Sequence, residues 1–382
     1  MGKIYGGDTI MKLLFVHNTL PEYRIPFFYG LSKNIDVSFV FSNISLNKKI
    51  YGNEIIHSKI ELDCLPENNK RYKKIMKLIN MGEYTHIILP PIDTLRDFTD
   101  ALFVFIIAKY KKIKLIYFGE KWEAPKEFQP IKKRIKNYLQ RLAFKSILRN
   151  IDMCIVSGKK SKAYFRSIGI KEKKLHVAID SSGVDFNVSE INIRKERNIS
   201  ADARVILYYG RIIERKGLDV LIKSYYKLVE KYNNVYLIVC GDGEFKDKCM
   251  NLVESLKLKN VIFEGYIDPM YKYRYFSECD VFVLPSYFYN GISEAWGLTV
   301  NEALQCGKPV IATEAVGSAY DLLNGKNGQL VKQNDEIALF NALERFLFNI
   351  EKDDIRNECV RVYEKYNYEN MINGFIMAID KA

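Results

Sequence analysis

Two doubly wound α/β domains joined by a polar linker are the fold class this sequence predicts, and three observations predict it. Short apolar runs rich in Val, Ile, Leu, Phe and Tyr recur along the 382 residues, separated by segments long enough for helices. That is the pattern of parallel sheets covered on both faces. The chain is 48% hydrophobic and 13% aromatic, enough for large cores, and its length exceeds what one domain usually needs. Between the two sets of runs lies DSSGVDFNVSEINIRKERNISADA (180–203), polar and with few apolar residues, which suits a hinge.

The first set of runs is KLLFVH (12–17), DVSFVFS (36–42), HIILP (86–90), KLIYF (114–118), IDMCIVS (151–157) and LHVAI (175–179). The second is RVILYYG (204–210), NVYLIVCG (234–241), NVIFEG (260–265), DVFVLPS (280–286) and KPVIAT (308–313). Alternation of strands with helical segments makes each set a Rossmann-like domain. The boundary is expected near residue 188, giving domains 11–188 and 189–365 and a terminal helix over 366–382. ALFVFIIA (101–108) is too short to span a bilayer, which takes roughly 20 apolar residues, and is expected to be a buried helix. Residues 1–10, MGKIYGGDTI, have no signal-peptide core and are expected to be a disordered leader or a misplaced start before Met11.

Seven cysteines are scattered without Cys-x-x-Cys spacing, and only four histidines could join them at a metal. A reducing, cytoplasmic setting without a structural metal is expected. The formal charge is +12, yet residues 109–174 alone hold 20 Lys and Arg against 5 Asp and Glu. This basic stretch suits an anionic membrane surface or a nucleic acid. The second reading is excluded as an expectation because no helix-turn-helix, aromatic RNA-binding strand or zinc spacing accompanies it.

In open α/β sheets, ligands bind beyond the carboxyl ends of the strands, so the loops there carry the candidates. GRIIERKG (210–217) places Arg211 and Lys216 on one loop, a pair suited to a diphosphate, or else a solvated basic turn. GDGE (241–244) offers Gly241 and Gly243 as either a ligand contact or a tight turn. In SEAWGLTVNEALQCGKPVIAT (293–313), backbone N–H groups around Gly297, Leu298 and Thr299 would open a helix as an anion site. TVNE reads as a capping box with Thr299 as N-cap, so Glu302 is either a cap or a ligand contact. Glu294 has no such structural role and is the stronger chemical candidate. His17 is read as a packed or hydrogen-bonded loop residue in preference to a catalyst; Trp122 and Trp296 as packing or sugar platforms.

The ordered set GRIIERKG, GDGE, VLPS, Glu294 to Glu302 and GKNGQLV (325–331) resembles the retaining glycosyltransferases of family 4, with SSGVD (181–185) similar to their linker entry. That resemblance implies the GT-B fold with an interdomain cleft and a terminal helix that crosses back to the first domain. It implies that Arg211 and Lys216 clamp the diphosphate of a UDP- or GDP-linked sugar, helped by amides at Leu298 and Thr299. Glu302 would hold the ribose, Glu294 would lie against the sugar near its anomeric carbon, and the loop at Tyr266 and Ile267 would meet the base. No cofactor or metal is implied. The acceptor attacks from the face the phosphate leaves, as expected for a glycan or polyprenyl-linked acceptor in surface polysaccharide, lipopolysaccharide or capsule assembly.

HNTLPEYRIPFFYGLSK (17–33) resembles the acceptor-side loop of polysaccharide-assembly members but lacks the paired glycines, leaving Arg24 to compensate. FGEKWEAP (118–125) has Glu120 where many relatives have histidine, beside Trp122. A non-catalytic nucleotide-sugar-binding subunit is the alternative; retention of Arg211, Lys216 and Glu294 argues against it. In QPIKKRIKNYLQRLAFKSILR (129–149), apolar residues at helical spacing pack on the sheet or form, with the surrounding cations, a strip for peripheral membrane contact.

Overall fold

The structure, a computed structural model, describes residues 11–43, 45–46, 48, 60–66, 68, 70–186, 192–349 and 352–382. The expected leader and the expected boundary at residue 188 lie outside the described residues.

One compact unit comprises Met1–Lys121, Arg134–Asp180 and Tyr368–Ala382. Its strands are β1 (Lys12–His17), β2 (Asp36–Phe41), β3 (Leu62–Cys64), β4 (His86–Leu89), β5 (Lys114–Gly119), β6 (Met153–Val156) and β7 (Leu175–Val177). They form one parallel sheet in the order β3-β2-β1-β4-β5-β6-β7. Leu13 to Val16 and all of β6 are buried, so the strands read as continuous apolar runs because helices cover both faces. The helix Leu95–Tyr110 starts at a capping box, where Thr94 Oγ1 accepts from the Asp97 amide at 3.1 Å. It buries Ala101, Val104 and Ala108 but leaves Ile106 exposed.

The terminal helix Tyr368–Asp380 belongs to this first unit. Phe375 meets Phe27 and Phe118 edge-on, with ring centroids 4.7 and 4.9 Å apart, and the Tyr368 hydroxyl donates to the Tyr23 carbonyl at 2.6 Å. Phe15 and Phe28 extend the aromatic cluster at 5.3 Å, so the last helix completes a core begun by the first strand.

The other unit comprises Trp122–Lys133 and Ser181–Asn367. Its strands, β8 (Arg204–Tyr209), β9 (Val235–Cys240), β10 (Val261–Gly265), β11 (Val281–Leu284), β12 (Val310–Thr313) and β13 (Gly328–Val331), form a parallel sheet ordered β10-β9-β8-β11-β12-β13. Placing residues 122–133 here corrects the expected boundaries, which give them to the first domain. Aromatic packing is the cause: Trp122 stands edge-on to Phe288 at 5.6 Å, Phe128 stacks on Phe288 at 5.2 Å, and the Gly291 amide donates to the Phe128 carbonyl at 2.9 Å.

Two strands escape the sequence reading, β3 and β13. Both are short edge strands, and Leu62–Cys64 is only half-buried, so neither carries an apolar run.

Candidate active site

In each sheet the strand order reverses once, between β1 and β4 in the first and between β8 and β11 in the second. Such reversal points open a crevice at the strands' carboxyl ends, and the candidate residues gather at both.

In the second unit, β8 delivers Gly210, Arg211 and the short helical turn Glu214–Lys216. Gly217 then turns the chain into the helix Leu218–Lys231 at φ +67°, and a Cβ there would meet the Pro285 carbonyl oxygen at 2.2 Å. The Tyr287 amide donates to the Arg215 carbonyl at 2.9 Å, so the loops after β8 and β11 are held in contact. Across that contact Glu294 Oε2 accepts from Arg215 at 2.8 Å and from Lys216 Nζ at 2.7 Å. Burial pushes the Glu294 carboxyl up, but Lys216 and Arg215 prevail and bring it down to about 2. Burial lowers the Lys216 ammonium; Glu294 opposes this, while Arg215 and Arg211 reinforce it. Arg211 itself is exposed.

The backbone of Glu294 is pinned as firmly as its side chain. Its amide donates to the Ala315 carbonyl at 2.9 Å and its carbonyl accepts from Gly317 at 3.1 Å. Trp122 Nε1 donates to the carbonyls of Glu294 and Ala295 at 3.2 and 3.1 Å. Trp122 is buried, packs in the second unit and fixes the Glu294 loop. Trp296 is packing as well, with Nε1 donating to Asn301 at 2.9 Å.

The capping-box reading of TVNE is also corrected. Thr299 is the first residue of the helix Thr299–Gln305, Leu298 is its N-cap, and no side chain caps it. Glu302 points into the protein, where it is buried. Its Oε1 accepts from Ser182 Oγ and from Lys272 Nζ, each at 2.8 Å, while buried Oε2 has no hydrogen-bond partner among the described residues. Leu298 and Thr299 open the helix, where the first turn supplies no acceptor for their amides. Gly297 sits at φ +90° against Leu284 and Val316, with no room for a Cβ.

Gly241 and Gly243 have a backbone reason. A Cβ on either would lie 1.9 Å from the Gly210 carbonyl oxygen or 2.3 Å from that of Ile212, so these glycines let the loop after β9 cross the loop after β8. Tyr266 follows β10 and is exposed, and the Ile267 carbonyl accepts from the Tyr209 hydroxyl at 3.2 Å.

In the first unit, Arg24, reached after β1, is buried and joins two carboxylates. It grips Asp180 with both terminal nitrogens, at 2.5 and 2.9 Å, and meets the Glu120 carboxyl after β5. Burial raises the Glu120 carboxyl and Arg24 lowers it, while Asp180 and Asp93 push it up, leaving it at about 8. His17 Nδ1 lies 3.0 Å from the Thr19 carbonyl oxygen and 3.4 Å from the Thr19 amide; burial and Arg24 hold its pKa down at about 4, so the ring is neutral.

The structure thus brings Lys216 to Glu294 and Arg24 to Glu120, and sets Glu302 apart with Lys272 and Ser182. Arg215, Lys272, Ser182 and Asp180 are absent from the sequence-derived set. Arg215 adjoins Lys216 in the same quoted motif and was within reach; Lys272 lies in PMYKYRY, which carries no signal. Among the described residues no cluster of three or more His, Cys, Asp or Glu is arranged to hold a metal.

Residues 189–361 match the sequence model of the family described as Glycosyl transferases group 1, a span that takes in Arg211, Arg215, Lys216, Glu294 and Glu302. The lipopolysaccharide 1,2-N-acetylglucosaminetransferase of Salmonella typhimurium is 27% identical over 195 residues, covering 48% of this chain and 50% of the relative. The O-antigen biosynthesis glycosyltransferase WclY of Escherichia coli is 30% identical over 181 residues, covering 47% and 48%. The chain spans about half the length of the curated relatives it matches. Among solved structures, Anabaena HepE in complex with UDP matches with a TM-score of 0.75 at 17% identity, covering 97% of this chain and all of that one. WaaG, a glycosyltransferase involved in lipopolysaccharide biosynthesis, matches with a TM-score of 0.61 at 15% identity, covering 96% and 98%. The fold is therefore GT-B, built of two Rossmann-like domains with parallel sheets.

Proposed function

We propose that this chain is a retaining glycosyltransferase that moves a sugar from a nucleotide donor to a glycan or lipid-linked acceptor in surface polysaccharide assembly. The observation that carries the reading is the Arg215, Lys216 and Glu294 cluster at the strand-order reversal of the second sheet, with exposed Arg211 beside it. Two cations gathered around one carboxylate, next to a third cation, match the needs of a leaving diphosphate adjacent to a sugar. The family match over these same residues supports it, as do complexes of HepE with UDP and with UDP-glucose.

In this reading the diphosphate draws Arg215 and Lys216, with Arg211, onto its oxygens. Glu302, whose Oε2 is left over, accepts from the ribose hydroxyls, while Tyr266 and Ile267 meet the base. The acceptor oxygen attacks the anomeric carbon as the bond from that carbon to the phosphate oxygen breaks on the same face. The acceptor's proton passes to the departing phosphate, and the nucleoside diphosphate leaves. Glu294 lies beside the sugar and stabilises positive charge developing at that carbon. The cations neutralise the leaving group, so no metal is needed for that step, and no cofactor takes part.

The test is an assay of sugar transfer with UDP- and GDP-linked donors and a panel of lipid-linked and free glycan acceptors, with and without EDTA. Product with the donor's anomeric configuration kept, formed equally in EDTA, is expected. An inverted product would overturn retention, and loss of activity in EDTA would overturn metal independence.

A further inference from the structure

Residues 122–133 lie outside the span that the family model matches, yet they brace the loop that carries Glu294. Phe128 holds the start of that loop: its ring stacks on Phe288 at 5.2 Å, and its carbonyl accepts from the Gly291 amide at 2.9 Å. Trp122 holds the end, where its single indole N–H is shared between the Glu294 and Ala295 carbonyls at 3.2 and 3.1 Å. Packing fixes the indole there. It is buried, edge-on to Phe288 at 5.6 Å and to Tyr320 at 6.5 Å, and the Tyr320 hydroxyl donates to the Glu314 carbonyl at 2.9 Å. A Cβ at Gly317 would lie 3.2 Å from Trp122 Nε1 and 2.2 Å from the Ala295 carbonyl oxygen, so the fit is close from that side too.

Glu294 thus has two kinds of tether. Its carboxylate is held by Lys216 and Arg215, and its backbone by Ala315, Gly317 and Trp122. A donor diphosphate that draws the two cations onto its own oxygens removes the first kind just when the carboxylate must stand beside the sugar. The backbone tethers remain, and of those three only Trp122 acts through a side chain.

We propose that Trp122 is a positioning residue for sugar transfer, its indole N–H holding the Glu294 backbone in place once the donor has engaged Lys216 and Arg215. This rests on the reading of Glu294 as the group beside the anomeric carbon. Misplacing a reacting group by on the order of 1 Å costs about a hundredfold in rate, so the effect of losing the N–H falls on turnover. Nucleotide binding draws on the cations and is spared.

The test compares wild type, Trp122→Phe, Glu294→Gln and the double variant as full chains, with UDP- and GDP-linked sugars. Trp122→Phe should lower kcat tenfold or more, while KM for the donor stays within about twofold and calorimetry finds full nucleotide stoichiometry. A merely structural role would lower that stoichiometry with the folded fraction and leave turnover per bound nucleotide alone. The double variant should be no slower than Glu294→Gln, because both changes act through one group. If Trp122→Phe folds poorly, a benzothiophene analogue at position 122 removes the N–H while keeping the ring's shape, and it should reproduce the loss of kcat. Wild-type kcat in either variant, beside a slow Glu294→Gln, would overturn the inference and leave the reading of Glu294 standing. A double variant slowed by the product of the two single effects would also overturn it, by placing the action of Trp122 elsewhere. No turnover by wild type, or wild-type kcat in Glu294→Gln, would overturn that reading and this inference with it.

Discussion

The Glu294 carboxylate lies 2.7 Å from the Lys216 ammonium, so a residue delivered after β11 neutralises a cation delivered after β8. Without nucleotide, this contact occupies the charge that a diphosphate would use. In the proposed reading, donor binding would be an exchange of anions around Lys216 and Arg215 rather than the filling of a bare cationic pocket.

That exchange separates two arginines. Arg215→Ala should weaken nucleoside diphosphate binding tenfold to a hundredfold, about 1.5–3 kcal/mol for charge-assisted hydrogen bonds. Arg211 is exposed, so Arg211→Ala should cost less, and its effect should fade as salt is raised. Titration calorimetry at two ionic strengths distinguishes them; equal, salt-independent losses would put Arg211 inside the cluster.

Glu294→Gln should lower turnover at least tenfold while nucleoside diphosphate affinity holds or rises, because the competing carboxylate is gone. Stability carries a second signature. The Glu294 carboxyl falls from 4.5 to about 2 on folding, so its stabilisation is present above pH 4.5 and is lost as pH drops toward 2. The shift corresponds to about 3 kcal/mol. The melting difference between wild type and Glu294→Gln should therefore shrink on acidification, and a difference constant with pH would contradict the ion pairing.

Glu302 should behave as a buried partner rather than a helix cap. Glu302→Ala leaves Lys272 without its carboxylate and Ser182 without its acceptor, at a cost of about 3 kcal/mol. Glu302→Ala with Lys272→Met should recover part of that loss, which a lost cap would not allow. Melting curves of the single and double variants decide it.

Glu120 sets the opposite pH dependence. Its carboxyl is raised from 4.5 to about 8, so its contribution is fully present below pH 4.5 and lost as pH rises through 8. Its side chain is 35% exposed, and solvent damps the effect. Between pH 6 and 9, wild type should lose melting temperature relative to Glu120→Gln; parallel curves would show that Glu120 is ionised throughout.

Much of this was legible in the sequence. Continuous apolar runs mark eleven of the thirteen strands among the described residues, because buried parallel strands have no solvent face to interrupt them. Loop position pointed to Lys216 and Glu294 for the same topological reason. What failed was tertiary. TVNE has a capping box's spelling, yet the helix begins one residue earlier than that motif needs and Glu302 turns inward to Lys272, thirty positions away. Trp122 looked like part of the first domain, but its indole is drawn to carbonyls 172 and 173 positions along the chain. The helix Ile131–Leu148 has helical periodicity on two sides, and periodicity cannot say which side the sheet covers.

Titration calorimetry of UDP and GDP with wild type and Lys216→Ala tests the central claim most directly. At least one nucleotide should bind wild type, and Lys216→Ala should weaken it tenfold or more while the chain stays folded by circular dichroism. Binding of neither nucleotide by wild type, or binding unchanged by Lys216→Ala, would contradict the assignment of this cluster to a nucleotide-sugar donor.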